Sequence, residues 1–381
     1  MNILICSEFF YPSVGGAQKV AFELSTNLTK MGHRVHVATS RTDSKQKKYE
    51  KKFDISINRF DVSGNYIKGI KGEKKKYLNF LKKGNFDTIL FYAAQQWTFD
   101  AILDHLEKLN SNLYLATCGF SRLNNIRYRN YYKILSNKLK ILNCNIVHSN
   151  TYQDAKFLNK FKIKNRVLIP NGAGNEFLKK NKKNFLKKIG INKTDTNILN
   201  VASFKFNKGQ DLSIMSFFLL KSQKKLNLIL IGDKFDSFFY KTYLYILKYF
   251  VQICCNSKKI YFIQNLNREY VTSSFFECDF FLFTSRIECS PLVLFESSAA
   301  GLPFFSTKVG NSEEISKWLK SGFIFSNIIF LSRFFNKILI KNNTGKFSNN
   351  GINNFKKYYN WNNIAKKYLK VFKKFNNKHV Y

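Results

Sequence analysis

The stretch Thr284–Thr307, TSRIECSPLVLFESSAAGLPFFST, says most about how this chain folds. It follows CDFFLF, an apolar run that reads as a buried strand. Ser290 is a favourable helix N-cap and Pro291 a favourable first helical residue. The helix expected from Leu292 to Ala300 stops at Gly301, and Pro303 blocks its continuation. The strand FFST comes next. Strand, loop, short helix and strand in this order are the units of a parallel α/β sheet. Open parallel sheets keep their ligand sites where the strands end, which is where Glu288 and the first amides of this helix fall.

Working outward, the same alternation recurs. Asn2–Cys6 is a short apolar strand, and Gly15-Gly16 leads into AQKVAFELSTNLTK, where Val20, Leu24 and Leu28 share one helical face. Gly32 ends that helix and RVHVATS is again a strand, completing a βαβ unit. FDTILFY, NLYLAT and CNIVHSN are further strands, and the turn Pro170-Asn171-Gly172 closes this half. A lysine-rich polar stretch from about Asn175 to Asp195 reads as a linker. After it the pattern restarts with TNILNVASF, LNLILIGD and KIYFIQN. A chain of 381 residues exceeds one ordinary core, so two domains are expected. The stretch from about Asn349, with Phe355, Tyr358, Trp361, Ile364, Tyr368 and Phe372 three or four apart, predicts a basic amphipathic helix. The boundaries are therefore 1–175, 176–348 and 349–381.

Composition narrows the function. The seven cysteines have neither metal-ligand spacing nor the look of a disulfide framework, and the five histidines form no ligand pair. No nucleophile elbow or Walker loop is present. The most membrane-like window, GFIFSNIIFLSRFFNKILI from Gly322, is interrupted by Arg333 and Lys337, which argues against a span. The formal charge is +39, with the lysines spread along the chain. Nucleic-acid readers concentrate charge in a recognisable module, so a specific nucleic-acid partner is not expected. An anionic membrane surface and a simple bias toward lysine both stay open.

The chemistry then rests on a few positions. Glu288 precedes the helix and Glu296 lies within it among apolar neighbours. A buried carboxylate wants partners, and either a sugar or ribose diol or one of the many lysines would serve. Lys205 and Lys208 flank the start of the helix after TNILNVASF, and either could offset charge on a diphosphate. Gly15-Gly16 is a tight turn or a place where backbone approaches an anion. Glu314, after KVGNS, caps its own helix or holds a ligand hydroxyl.

Taken together, FFYPSVGGAQKVAFELSTNLTKMGHRVHVATS, RVLIPNGAGNEF, the KG of FNKGQD, ECSPLVLFE, AAGLPFFSTKVGNSEEI and YNWNNIAKKYLKVF resemble a family 4 retaining glycosyltransferase. They occur in that family's order over nearly the whole length. The resemblance implies a GT-B fold: two Rossmann-like domains facing a central cleft, with a C-terminal helix crossing back to the first. It implies that the second domain binds most of the donor and that the acceptor faces the first. Glu296 would hold the ribose hydroxyls, Glu288 would face the transferred sugar, and Lys208 would contact the diphosphate with Lys205 beside it. Backbone near Gly15 and Gly16, Ser290, the amides of Leu292 and Val293, Gly310, Asn311 and Glu314 would complete donor binding. Glu288, Lys208 and Lys205 are the catalytic candidates. The donor would be a UDP- or GDP-linked sugar and no protein-bound metal is expected. The acceptor would be a glycan or lipid-linked saccharide in cell-surface polysaccharide synthesis, at a cytoplasmic location or on the inner face of the membrane.

Three departures from the pattern stand out. Ser203 occupies the place of an arginine five residues before the Lys of KG, and Lys205 is the candidate replacement. Cys118, in ATCGF, stands where an acceptor-side histidine is common. Asn311 replaces the second glycine of a Gly-Gly pair. Alternative readings are a GT-B sugar-nucleotide epimerase or phosphorylase, and a nucleotide-sugar-binding protein without activity.

Overall fold

The computed structural model describes residues 1–341 and 345–376. They form two compact units, one of Met1–Asn171 with the described residues from Trp361 onward, the other of Gly172–Asn360.

The first unit is built on β1 (Asn2–Cys6), β2 (Arg34–Ser40), β3 (Tyr49–Lys52), β4 (Ile55–Phe60), β7 (Thr88–Tyr92), β8 (Asn112–Ala116), β9 (Cys144–Val147) and β10 (Arg166–Leu168). A separate antiparallel hairpin, β5 (Val62–Asn65) and β6 (Gly69–Gly72), lies between β4 and β7 in sequence. The sheet order is β10-β9-β8-β7-β1-β2-β4-β3, parallel except at the β3–β4 edge. Ile3 pairs with Val35 on one side of β1, and Ile5 with Leu90 on the other. Such a strand is covered on both faces, which is why Ile3–Cys6 is continuously apolar instead of alternating. The helices are α1 (Gly16–Lys30), α2 (Lys74–Lys83), the single turn α3 (Trp97–Asp100), α4 (Arg129–Ile141) and α5 (Gln153–Lys160). Val20, Leu24 and Leu28 of α1 are buried, as their spacing predicts.

The second unit has a six-stranded parallel sheet, β11 (Thr196–Val201), β12 (Leu226–Gly232), β13 (Lys258–Gln264), β14 (Phe280–Phe283), β15 (Phe304–Thr307) and β16 (Gly322–Phe325), in the order β13-β12-β11-β14-β15-β16. Its helices are α6 (Phe185–Lys188), α7 (Gln210–Phe218), α8 (Phe238–Cys254), α9 (Arg268–Glu277), α10 (Leu292–Ala299), α11 (Ser312–Leu319), α12 (Ile328–Lys341) and α13 (Gly345–Asn354). Phenylalanines dominate this core: Phe335 of α12 stacks on Phe305 of β15 with centroids 3.9 Å apart and meets Phe280 of β14 edge-on. The strand order reverses between β11 and β14. The ends of these two strands are therefore a topological switch point, the place where open α/β sheets admit a ligand.

The chain then passes through a π-helical turn (Phe355–Tyr359) into α14 (Trp361–Asn376). This last helix belongs to the first unit. Trp361, Ile364, Ala365, Tyr368 and Phe372 are buried, and the Tyr114 hydroxyl of β8 donates to the Phe372 carbonyl at 3.3 Å.

Three expectations change in detail. Pro291, not Ser290, occupies the cap position of α10, and the helix ends one residue earlier than expected, at Ala299. The Asn175–Asp195 stretch is not a free linker: Phe177, Phe185 and Leu186 are buried, and Phe177 meets Phe275 of α9 at 5.2 Å. Apolar anchors hidden among the lysines explain this. The membrane-like window, read as no span because of Arg333 and Lys337, divides into β16 and α12; among the described residues no helix is long and apolar enough to cross a membrane. The single terminal helix becomes α13 and α14, broken at the π turn, while 377–381 lies outside the described residues.

Candidate active site

The site in the second unit forms where the loops after β11 and β14 meet. Lys208 ends a 3-10 turn, and Gly209 follows at φ 65°. A Cβ at 209 would collide with the Thr284 carbonyl. Glycine therefore serves twice here, for the left-handed backbone and for the close passage of one loop over the other. That passage aligns two side chains that lie eighty residues apart in sequence. The Lys208 ammonium donates to Glu288 Oε1 at 2.6 Å, and the Ser285 hydroxyl donates to the same oxygen at 2.8 Å. Both partners of the ion pair are largely covered.

A second anchor fixes the loop. Arg286 forms a bidentate pair with Asp211 of α7, at 2.8 and 2.6 Å, and lies over the Phe206 ring at 4.1 Å. Its backbone N–H donates to the Asn207 carbonyl. A planar guanidinium suits this fork and stack. Composition and motif order gave no hint of Arg286, because its partner comes from another element.

Gly310 closes the arrangement from the β15–α11 side. At φ 53° a Cβ there would lie 2.6 Å from the Cys289 carbonyl and 2.9 Å from that of Glu288. The Asn311 N–H donates to the Cys289 carbonyl at 3.0 Å, and its side-chain amide donates to the Ser290 hydroxyl at 3.2 Å. Ser290 is thus engaged with Asn311 while Pro291 caps α10 without a side-chain hydrogen bond. The amides of Leu292 and Val293 open α10, and a helix start of this kind favours anions. Glu314 lies in the first turn of α11.

Glu296 is buried on α10, and Arg268 of α9 donates to its Oε1 at 2.8 Å. The same guanidinium reaches Glu176 at 3.7 Å. An arginine rather than one of the many lysines thus stabilises the carboxylate, and it engages one of the two oxygens. Lys205 pairs with Asp236 at 3.3 Å, and both are about half exposed. Ser203, where the resemblance expects an arginine, contributes its carbonyl to Gln210.

Gly15 and Gly16 belong to the first unit and open α1. Gly15 is extended, no side chain caps the helix, and a Cβ on Gly16 would meet nothing within 4 Å. Two carboxylates near the strand ends of this unit were not singled out from sequence. Asp100 accepts from the Tyr131 hydroxyl at 2.7 Å and the Tyr66 amide at 2.9 Å; burial pushes its pKa up to about 6. Burial, then repulsion from Asp100, raises Glu8 to about 7, with Lys68 pulling the other way. Near neutral pH, Glu8 can therefore either accept or donate a proton.

Cys118 sits in the left-handed region at φ 52°, its sulfur 3.9 Å from His148 Nε2. His148 Nδ1 lies 2.8 Å from the Ile169 carbonyl and so carries the proton. Burial lowers the imidazole pKa and pushes the thiol up to about 12. The pair is thus neutral, with Nε2 accepting from the thiol. The same unit has a cavity of about 750 Å³ lined by Arg129, Lys133, Lys156 and Lys160 together with Tyr132 and Phe157. Among the described residues, no acidic one lines it.

Among the described residues, no group of three or more His, Cys, Asp or Glu side chains is placed to hold a metal. The fold and this meeting of loops define the GT-B class. Three similar structures, each below one-fifth identity, support the fold. Sucrose-phosphate synthase from Thermosynechococcus elongatus superposes with a TM-score of 0.80 at 16% identity, covering 98% of each chain. HepE from Anabaena, solved with UDP, gives 0.78 at 15% identity, covering 98% of this chain and 100% of that one. WaaG, a glycosyltransferase involved in lipopolysaccharide biosynthesis, gives 0.67 at 18% identity, covering 97% and 99%. No curated protein matches in sequence. Residues 181–351 match the family described as Glycosyl transferases group 1. They form a group 1 glycosyltransferase domain, and the chain is a glycosyltransferase.

Proposed function

We propose that this enzyme moves a sugar, with retention, from a nucleoside diphosphate sugar to a hydroxyl of a glycan or lipid-linked saccharide in cell-surface polysaccharide synthesis. The observation that carries the reading is the Lys208–Glu288 pair at 2.6 Å, set beside the first amides of α10 at the switch point of the sheet. A diphosphate at the α10 amides would draw the Lys208 ammonium, leaving Glu288 to face the sugar. Lys205 would join it, because an exposed pair such as Lys205–Asp236 is weak enough to exchange. Gly310 and Asn311 would offer backbone to the donor, and within the first unit the open side of Gly16 leaves room for an anion at the start of α1. The second oxygen of Glu296, with Arg268 holding the first, would accept from the ribose hydroxyls.

In the step itself, the bond from the anomeric carbon to the diphosphate oxygen breaks. The acceptor oxygen forms its bond on the same face, and its proton passes to the departing phosphate. Lys208 and the helix amides stabilise the charge that develops there. HepE, of similar fold, was solved with UDP, which supports a uridine diphosphate donor. The basic cavity in the first unit supports an acceptor bearing phosphate, and the +39 charge an anionic membrane as the place of work. WaaG's part in lipopolysaccharide biosynthesis supports the cell-surface setting.

The test is nucleoside diphosphate release from UDP-, GDP- and ADP-sugars in EDTA, with and without a lipid-acceptor extract, beside Glu296→Ala. Release from one donor that rises with extract and collapses in the variant is expected. A folded enzyme that binds a donor yet never releases the diphosphate would refute the reading.

A further inference from the structure

The helix α8 of the second unit is apolar on both sides. Tyr240, Leu244 and Val251 face the core. On the opposite arc, Phe238, Phe239, Ile246, Tyr249 and Ile253 are between 61% and 84% exposed, and Tyr243 and Phe250 are exposed beside them. These five most exposed side chains present roughly 600 Å² of mostly apolar surface, at the top of what a soluble monomer leaves uncovered. Helical geometry places them together: 239, 246, 250 and 253 recur at spacings of seven, four and three.

Charge identifies the occupant. The helix contains no Asp or Glu, and Lys241 and Lys248 lie along one edge of the arc. The Leu226 N–H donates to the Ser257 carbonyl at 2.9 Å, which brings the exposed Lys224, Lys225 and Lys259 to the C-terminal end of α8. A second copy docking here would set lysine against lysine. Phenylalanine and isoleucine at the centre, with tyrosine hydroxyls and lysines at the edges, match an interface with lipid acyl chains inside and headgroups outside.

We propose that the outer face of α8 docks the enzyme on an anionic lipid bilayer, with Phe239, Ile246, Tyr249 and Ile253 entering the headgroup region and the adjoining lysines pairing with lipid phosphates. This deepens the membrane part of the reading above and is independent of the transferase chemistry. Each lysine near an anionic leaflet contributes about fivefold in affinity. The four side chains together contribute about a hundredfold or more.

The experiment is co-sedimentation of the full chain with vesicles of phosphatidylglycerol and phosphatidylcholine, or of phosphatidylcholine alone. The comparison protein is Phe239→Ser/Ile246→Ser/Tyr249→Ser/Ile253→Ser. Circular dichroism and nucleoside diphosphate release are followed on the same samples. Expected are binding to the anionic vesicles that partly survives high salt, weak binding to the neutral ones, and a loss of about a hundredfold in the variant with its fold intact. Three results would overturn the inference: no binding by the unaltered enzyme, equal binding by the variant, or an unaltered dimer that the substitutions dissociate without any vesicle binding. Failed diphosphate release with intact vesicle binding would instead refute the transferase reading.

Discussion

Replacing Lys208 by alanine separates two roles the structure gives this ammonium. In the free enzyme it sits 2.6 Å from Glu288, leaving the Ser285 hydroxyl as the other donor to that oxygen. Removing it leaves a mostly covered carboxylate underpaired, a loss of about 1–3 kcal/mol in stability. If Lys208 also stabilises the departing diphosphate, deleting that donor should lower kcat by about 10²–10³-fold, equivalent to about 3–4 kcal/mol. Diphosphate release under saturating donor, together with urea unfolding, measures both. A double-mutant cycle with Glu288→Gln tells them apart. Partnership alone predicts that Lys208→Ala/Glu288→Gln regains stability and turns over as fast as Glu288→Gln. Action on the diphosphate predicts that stability recovers while turnover falls well below that of Glu288→Gln. Turnover within about threefold of the unaltered enzyme in Lys208→Ala would refute the assignment.

Gly209→Ala should lose about 1–3 kcal/mol of stability and weaken donor binding, because its Cβ collides with the Thr284 carbonyl; thermal unfolding and nucleotide titration would show both. Arg268→Met should cost about 1–3 kcal/mol, since Glu296 stays buried without its 2.8 Å partner, and Arg268→Lys should restore part of that in urea unfolding. Asp100 and Glu8 hold their protons more tightly folded than unfolded. Their contribution is therefore full below about pH 4 and lost as pH rises through about 6 for Asp100 and about 7 for Glu8. Asp100→Asn should gain stability relative to the unaltered protein from pH 4 to 8 in urea midpoints; a constant difference would contradict this. Iodoacetamide at pH 8 should label exposed Cys254 first and leave Cys118, a thiol pushed up to about 12, largely unmodified by mass spectrometry.

The parallel sheets could be read from the sequence because doubly covered strands such as ILIC and FFLF are continuous apolar runs bounded by turns. Thr284–Thr307 carries its whole strand–loop–helix–strand logic within one short window. Serine's preference for the cap is statistical, and here the Ser290 hydroxyl serves Asn311 while the cap falls one residue later, at Pro291. The partners Arg268, Arg286 and Asp236 could not be read. Each meets its counterpart across tens of residues through the packing of separate elements, and local periodicity carries no trace of that. The buried Phe177, Phe185 and Leu186 were hidden by the lysines around them, which set the composition of that stretch without setting its packing.

The return of α14 to the first unit has a consequence for how the protein is made. Trp361, Ile364, Tyr368 and Phe372 fill a core whose strands were synthesised before the whole second unit. During translation the second unit can fold as soon as it clears the ribosome, but the first must wait with an unfilled apolar face against β8 and α1. That interval is when the nascent chain is most exposed to aggregation and most in need of a chaperone. A chain truncated after Asn360 should therefore hold a protease-resistant second unit and a protease-sensitive first one.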